Sequence, residues 1–288
     1  MPLVSARTLL AQAQTAHYGI ALFDIFEMTG CEDAVAAAEE RRAPLIVGMY
    51  QSTFEKRSAH AFIAALRSLA GQCTTPVALM LDHGISVEQC LRAAEAGFTD
   101  VMYDGSKLPI EENIANTARV VEAAHAADVG VEAELGHVGS GRDYESFGAK
   151  RMGFTDPADV ERFTRESSVD MLAVAIGTAH GVYQGEPRLD LDLLTRIRAR
   201  TRVPLVLHGG TGLSESQFRQ AIAGGISKIN VATDLVLAMA ERMRKVAADP
   251  KAPFFKLTGA IHEAMAERCT YYFDLFGASG KAVTQTRE

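Results

Sequence analysis

A closed α/β barrel of eight parallel strands, the (β/α)8 TIM barrel, is the fold class predicted by this 288-residue chain, and three observations carry it. Eight short apolar or β-branched runs recur, seven of them ending in Gly, Asp, His or Thr, stretches with helical periodicity separate them, and no linker or low-complexity segment divides the chain. Two domains of ordinary size would also fit the length, yet barrels of this kind routinely fill roughly 250 residues as one unit. The expectation is a single domain over residues 1–288.

The eight runs are Tyr18–Asp24, Pro44–Tyr50, Val77–His83, Asp100–Gly105, Val129–Gly136, Asp170–Gly177, Val203–Gly209 and Ile226–Thr233. Val77-Ala-Leu-Met-Leu81 and Met171-Leu-Ala-Val-Ala-Ile176 are apolar without alternation, as strands covered on both faces must be. Helix starts recur between the runs. Ser86 with Gln89 and Ser214 with Gln217 match the capping box, and Asp156-Pro157 sets a cap before a proline at the first helical position. A doubly wound open sheet accounts for the same alternation, but the chemistry gathered at the strand ends favours the closed ring. The stretch from Gly136 to Gly153, Gly-rich with mixed charges, reads as a mobile loop over one barrel face, and Thr284–Glu288 as a frayed end.

Composition excludes several classes of function. Lys plus Arg number 29 against 36 Asp plus Glu, for a formal charge of −7, and no basic run compensates locally, so nucleic acid is not an expected partner. Cys31, Cys73, Cys90 and Cys269 lie far apart with no C-x-x-C pair, which argues against a thiolate metal site or a disulfide framework and for a reducing cytoplasm. No apolar run approaches the ~18 residues of a membrane span, and the N-terminus lacks the pattern of a secretory signal. A soluble cytoplasmic protein is expected.

In a β/α barrel the active site is assembled at the C-terminal ends of the strands. The ionisable residues fall there: Asp82-His83-Gly84, Asp104-Gly105, Glu132-Ala-Glu134, His180-Gly181 and His208-Gly209-Gly210. Three imidazoles from three strand ends, His83, His180 and His208, suit a divalent zinc with one open position. Asp82, directly before a proposed ligand, is placed to exchange a proton with an oxygen of the substrate, or else to orient an imidazole. Asp104 and Glu134 are candidates for a second divalent position or for orienting the histidines. Glu132 points to the same side as Glu134 but deeper, and reads as structural. His17, His60, His125, His137 and His262 read as solvated or locally hydrogen-bonded.

The last two strands lead into Gly209-Gly210-Thr211-Gly212 and Asn230-Val-Ala-Thr233-Asp234. Loops in these places of the barrel frequently hold phosphate through open backbone N–H groups and hydroxyls. A phosphorylated small molecule beside a divalent ion suits carbon–carbon cleavage by retro-aldol chemistry, because the ion stabilises the enediolate while the phosphate fixes the distance. Lys228, on the eighth run, offers a Schiff-base route as the competing chemistry, but that route leaves the three histidines without a task.

Six motifs in order, Asp82-His83-Gly84, Tyr103-Asp104-Gly105-Ser106, Glu132-Ala-Glu134-Leu-Gly136, Ala175-Ile-Gly-Thr-Ala-His180-Gly181, Leu207-His208-Gly-Gly-Thr-Gly212 and Lys228-Ile-Asn230-Val-Ala-Thr233-Asp234, resemble the class II, zinc-dependent fructose-bisphosphate and tagatose-bisphosphate aldolases. The resemblance runs over nearly the whole chain, to Phe276-Gly-Ala-Ser-Gly280-Lys281. It implies one catalytic zinc on His83, His180 and His208, a neighbouring metal position at Asp104 and Glu134, and proton exchange between Asp82 and the C4 oxygen of a ketose. It further implies that Gly181, Gly209, Gly210, Thr211, Asn230, Thr233 and Asp234 bind dihydroxyacetone phosphate, and that the chain forms a homodimer or homotetramer.

Three departures from the family pattern shape the expected substrate. The first run ends in Asp24-Ile-Phe26-Glu27 where tagatose-type members carry an Asn-x-His-Asn pattern. The loop reads Gly139-Ser-Gly-Arg142-Asp143-Tyr-Glu145, with Arg142 where the family has a glutamate that moves the C3 proton, so Glu145 or Asp143 is the expected substitute. Thr270 stands where bisphosphate enzymes carry an arginine for the far phosphate, and Arg268 is expected to face elsewhere. Ketose 1-phosphates therefore stand beside ketose 1,6-bisphosphates as expected substrates, and an unphosphorylated aldehyde partner or a non-catalytic sugar-phosphate-binding barrel are the alternatives.

Overall fold

The computed structural model describes residues 3–144, 151 and 153–282. Ten strands appear among them: β1 (Ile20–Asp24), β2 (Leu45–Tyr50), β3 (Val77–Gly84), β4 (Asp100–Tyr103), β5 (Gly130–Leu135), β6 (Gly139–Ser140), β7 (Met171–Val174), β8 (Ala179–His180), β9 (Leu205–Leu207) and β10 (Ile226–Val231). Eight close into a parallel ring in the order β1-β2-β3-β4-β5-β7-β9-β10, with β10 pairing back onto β1 through Ile20↔Lys228 to Phe23↔Val231. The predicted barrel is therefore present, and the open sheet is excluded by this closure. Nearly every residue of the ring is buried, because the barrel interior covers one face and the helical layer covers the other.

The helices among the described residues are α1 (Ala6–Ala16), α2 (Met28–Arg41), α3 (Gln51–Phe54), α4 (Ala59–Gln72), α5 (Val87–Ala96), α6 (Ile110–Ala126), α7 (Pro157–Ser167), α8 (Leu191–Arg198), α9 (Glu215–Ala223), α10 (Thr233–Ala247) and α11 (Phe254–Leu275). Their starts follow the predicted signals: Ser214 and Gln217 form the full capping box, and Asp156 accepts from Ala158 N ahead of Pro157. At Ser86 only half of the box forms. Its hydroxyl accepts from Gln89 N, while the Gln89 amide accepts from Ile85 N and donates to Glu55, which draws that side chain away from the cap backbone.

Helix α1 lies against the lower end of the ring. There Asp100, the first residue of β4, accepts from Ala6 N at 2.7 Å and from the Ser5 hydroxyl at 2.7 Å, so a buried carboxylate satisfies the helix start. Two irregularities concern the opposite, upper end. The sixth ring strand stops at Val174, and its predicted continuation turns through Gly177, at φ 113°, into β8, which pairs with β6 in a separate two-stranded sheet. In β3 the register slips between Leu81 and Gly84, and His83 takes the left-handed conformation at φ 53°.

Candidate active site

That slip decides where two neighbouring side chains go. Successive residues of a regular strand point to opposite faces, yet Asp82 and His83 both line one cavity of about 960 Å³ at the upper mouth of the barrel. The extra residue in β3 and the positive φ at His83 turn the imidazole inward beside the carboxylate. His180 arrives from β8, positioned by the β6 pairing Ser140↔His180, and His208 follows directly on β9.

The three rings form one cluster. His83 and His180 have ring centroids 4.8 Å apart, and so do His83 and His208. Each ring is fixed by its rear nitrogen: His83 Nδ1 lies 2.9 Å from Asp104 Oδ2, His180 Nδ1 3.1 Å from the Val138 carbonyl, and His208 Nε2 2.9 Å from Glu132 Oε1. All three partners are acceptors, so the rear nitrogens are the donors and the front nitrogens carry lone pairs. One ring nitrogen from each of the three histidines lies within 4.8 Å of the others. His83 Nε2 and His208 Nδ1 are 2.9 Å apart, and His180 Nε2 is buried without a hydrogen-bond partner.

Two lone pairs at that separation repel unless a proton or a cation stands between them. The electrostatics answer accordingly. Burial alone would depress His83, but the charges of Asp82, Glu134 and Asp104 and the hydrogen bond to Asp104 override it and raise its pKa to about 10. Burial, and then the His83 charge, lowers His180 to about 4 and pushes His208 well below the ordinary range. An orphaned imidazole nitrogen facing two others is the donor set that a zinc ion fits, so these residues could hold one.

A second group shares His83, with Asp104 and Glu134. Glu134 Oε2 is buried and unpartnered, whereas Oε1 accepts from Val138 N. Burial, then the neighbouring Asp104, raises the Glu134 pKa to about 8, while the hydrogen bonds from His83 and Ser106 hold Asp104 below its ordinary range against the cost of burial.

Beneath the histidines runs a buried polar chain. Glu132 accepts from His208 through one oxygen and from Lys228 Nζ, at 2.8 Å, through the other; Lys228 also donates to Asn230 Oδ1 at 2.7 Å, and Asn230 Nδ2 donates to Asp82 Oδ1 at 2.8 Å. Glu132, read from the sequence as structural, therefore orients an imidazole and anchors the lysine. Its two-residue offset from Glu134 was the available signal, since both face inward at successive depths. Asp24, at the end of β1, lies in the same cavity; burial, then the Asp82 charge, pushes its carboxyl well above the usual range.

A family model described as class II fructose-bisphosphate aldolase matches residues 4–281. The chain belongs to this family. A fructose-bisphosphate aldolase of Geobacillus stearothermophilus is 39% identical, with 98% of this chain and 99% of the relative covered, and a 6-phospho-5-dehydro-2-deoxy-D-gluconate aldolase of Halalkalibacterium halodurans is 38% identical at 98% and 99%. Among solved structures, the YdjI aldolase of Escherichia coli K12 superposes with a TM-score of 0.87 at 34% identity, covering 97% of this chain and 99% of that one. The protein is an aldolase, a carbon–carbon lyase.

This aldolase brings most of the residues singled out from its sequence to one place. Asp82, His83, Asp104, His180, Gly181, His208, Gly209, Gly210, Thr211, Asn230 and Thr233 all line the cavity, and Glu134 lies just behind it. Asp234 does not line it. Its carboxylate accepts from Arg268 Nε at 2.6 Å and Tyr272 OH at 3.0 Å, because α10 begins at Thr233 and the next side chain is rotated about 100° around the helix axis. That pair, with Arg268 stacked over Tyr271 and Tyr272, also holds Arg268 on the helical layer.

Of the departures, Glu27 caps α2 by accepting from Thr29 N and Gly30 N, and Phe26 stands on the cavity rim. In the loop, Asp143 lines the cavity and Arg142 is exposed; Glu145 lies outside the described residues, as do Thr284–Glu288. The loop up to Tyr144 is tied down, with the Tyr144 hydroxyl accepting from Arg188 N and its ring 4.7 Å from that of Tyr183. His137, read as solvated or locally bonded, also lines the cavity; its Nδ1 lies 2.9 Å from the Ser106 hydroxyl, which donates to Asp104. No helix among the described residues is long and apolar enough to cross a membrane.

Proposed function

We propose that this aldolase is metal-dependent and cleaves a ketose 1-phosphate, or a ketose 1,6-bisphosphate, reversibly to dihydroxyacetone phosphate and an aldehyde. The observation that carries the reading is the convergence of three front nitrogens, one of them orphaned, with every rear nitrogen donating to an acceptor. His83, His180 and His208 would hold the catalytic zinc, and Asp104 and Glu134 with His83 a second divalent position. When bound, the ion supplies positive charge that polarises the ketone and stabilises the electron pair released by cleavage.

The chain's own residues do the rest. The Gly181, Gly209, Gly210, Thr211 and Thr233 backbone and hydroxyl groups bind the phosphate and fix its distance from the histidines. Asp82, oriented by Asn230, takes the proton of the C4 hydroxyl; the C4 carbonyl forms, the C3–C4 bond breaks, and its electron pair passes to C3 and the C2 oxygen. A loop carboxylate, Asp143 or Glu145, then delivers a proton to C3, and the order reverses in synthesis. Lys228 stays in its ion pair with Glu132 throughout. A homo-oligomer accompanies this reading, supported by the exposed apolar residues Val236, Leu237, Met243, Phe254 and Phe255 on α10 and α11, and a cytoplasmic location, supported by four buried cysteines without a C-x-x-C pair.

The test is release of dihydroxyacetone phosphate from a panel of phosphorylated ketoses, with and without a chelator. Loss of turnover on chelation and its return with zinc support the reading, as does the absence of a borohydride-trapped adduct. Full turnover after removal of divalent ions sinks it. Deuterium exchange at C3 in Asp143→Asn and Glu145→Gln identifies the loop carboxylate.

A further inference from the structure

The cavity has two unlike walls. Going round the ring, β7, β9 and β10 are consecutive, and the glycines and threonines of the proposed phosphate anchor all follow β8, β9 or β10. The other arc, β1, β2 and β3, is also consecutive, and β2 and β3 stand four places from β7 and β9, diametrically across the mouth. Beside the polar Asp24, Gln51, Asp82 and His83, its strand ends contribute Phe26, Tyr50 and Ile85, which are 44%, 38% and 67% exposed and all line the cavity.

These three side chains need an account, since large apolar groups gathered at the rim of a polar site are not explained by folding. Their position gives one. Tyr50 is the register partner of Asp82, and its ring centroid lies 6.0 Å from that of His83. Asp82 is the residue that handles the C4 oxygen, which becomes the aldehyde oxygen. The carbons beyond C4 therefore leave the reacting centre along the wall that begins at Tyr50. Lys107 is the sole Lys or Arg lining the cavity among the described residues, and it is exposed, on the loop after β4. One solvated ammonium holds a phosphate far less firmly than a buried guanidinium fork does.

We infer that Phe26, Tyr50 and Ile85 form the aldehyde subsite and select an uncharged aldehyde whose distal carbons present C–H surface rather than phosphate or carboxylate. This assignment rests on the reading of the chain as a dihydroxyacetone phosphate aldolase and names its second substrate. The preferred ketose is then a 1-phosphate with an unphosphorylated, apolar far end.

The experiment is synthesis from dihydroxyacetone phosphate by the zinc-loaded enzyme with four aldehydes: lactaldehyde, glyceraldehyde, glyceraldehyde 3-phosphate and succinic semialdehyde. Lactaldehyde and glyceraldehyde differ by one hydroxyl at the distal carbon. The expected order of kcat/KM puts lactaldehyde first, about 10-fold above glyceraldehyde and about 100-fold above the two anions. Ile85→Asn and Phe26→Ser, both at exposed positions that folding does not depend on, should each shrink the lactaldehyde advantage about 10-fold. Preference for either anion, preference for glyceraldehyde, or an advantage unmoved in both variants overturns the assignment. Deuterium exchange into dihydroxyacetone phosphate without any aldehyde separates the two levels. Exchange with the wrong aldehyde order removes only the subsite, whereas no exchange removes the underlying reading and the subsite with it.

Discussion

Glu132 accepts from His208 Nε2 at 2.9 Å through one carboxylate oxygen and from Lys228 Nζ at 2.8 Å through the other, and all three side chains are buried. One carboxylate thus sets the tautomer of an imidazole and compensates a buried lysine. Glu132→Gln keeps the shape but can accept through one atom only, so the His208 ring or the lysine loses its partner. Zinc affinity, measured by competition with a chromogenic chelator, should fall about 10- to 100-fold. Glu132→Ala strands the lysine and should cost about 3–5 kcal/mol of stability in denaturant titration. Unchanged affinity in the Gln variant would remove Glu132 from any role at the histidines.

Gly209 sits at φ 71°, and a Cβ there would overlap the backbone carbonyl of Ala179. Neither strain can relax through a flexible side chain. Gly209→Ala should lose roughly 1–3 kcal/mol of stability and raise KM for the phosphorylated ketose more than it lowers kcat. A variant with wild-type KM would show that this turn does not bear on the phosphate.

Asp100 carries a pH signature. Burial lifts its pKa to about 6, against the pull of hydrogen bonds from Ala6 N, Ser5 and Thr99. An acid whose folded pKa lies above its unfolded value contributes most below the unfolded value, near 3.8, and loses that contribution as pH rises through 6. The stability of the wild type relative to Asp100→Asn should therefore decline between pH 4 and 6.5, by on the order of 3 kcal/mol. A constant difference over that window in chemical denaturation would refute it.

All four cysteines are buried, and burial pushes the thiols of Cys31 and Cys90 up to about 12, Cys73 to about 11 and Cys269 well above its usual value. At pH 8 an aromatic disulfide reagent should label none within minutes in the folded enzyme and all four in denaturant. Rapid labelling of any one would reveal local opening of the layer that covers it.

The sequence made the barrel and the histidine cluster legible because both are written locally. Strands buried on two faces lack alternation, and two of the three clustered histidines stand where an apolar run stops, His83 near the end of β3 and His208 directly after Leu205–Leu207. What escaped depends on partners far away in the chain. Glu132 meets His208 across 76 positions and Lys228 across 96, so its spacing from Glu134 marks it as inward-facing but does not name its partners. Asp234 illustrates the opposite error: its motif was recognised, but one step into a helix turned the carboxylate towards Arg268. The β6–β8 pairing likewise joins two-residue segments too short to have a pattern of their own.

The kink at His83 has a wider implication for anyone transplanting this chemistry. Copying the Asp-His pair onto an unbroken strand of another scaffold would aim one of the two side chains at the surrounding helices. A working graft must carry the surplus residue and its unusual torsion along with the side chains, so the inheritable unit is a piece of distorted backbone rather than a dipeptide.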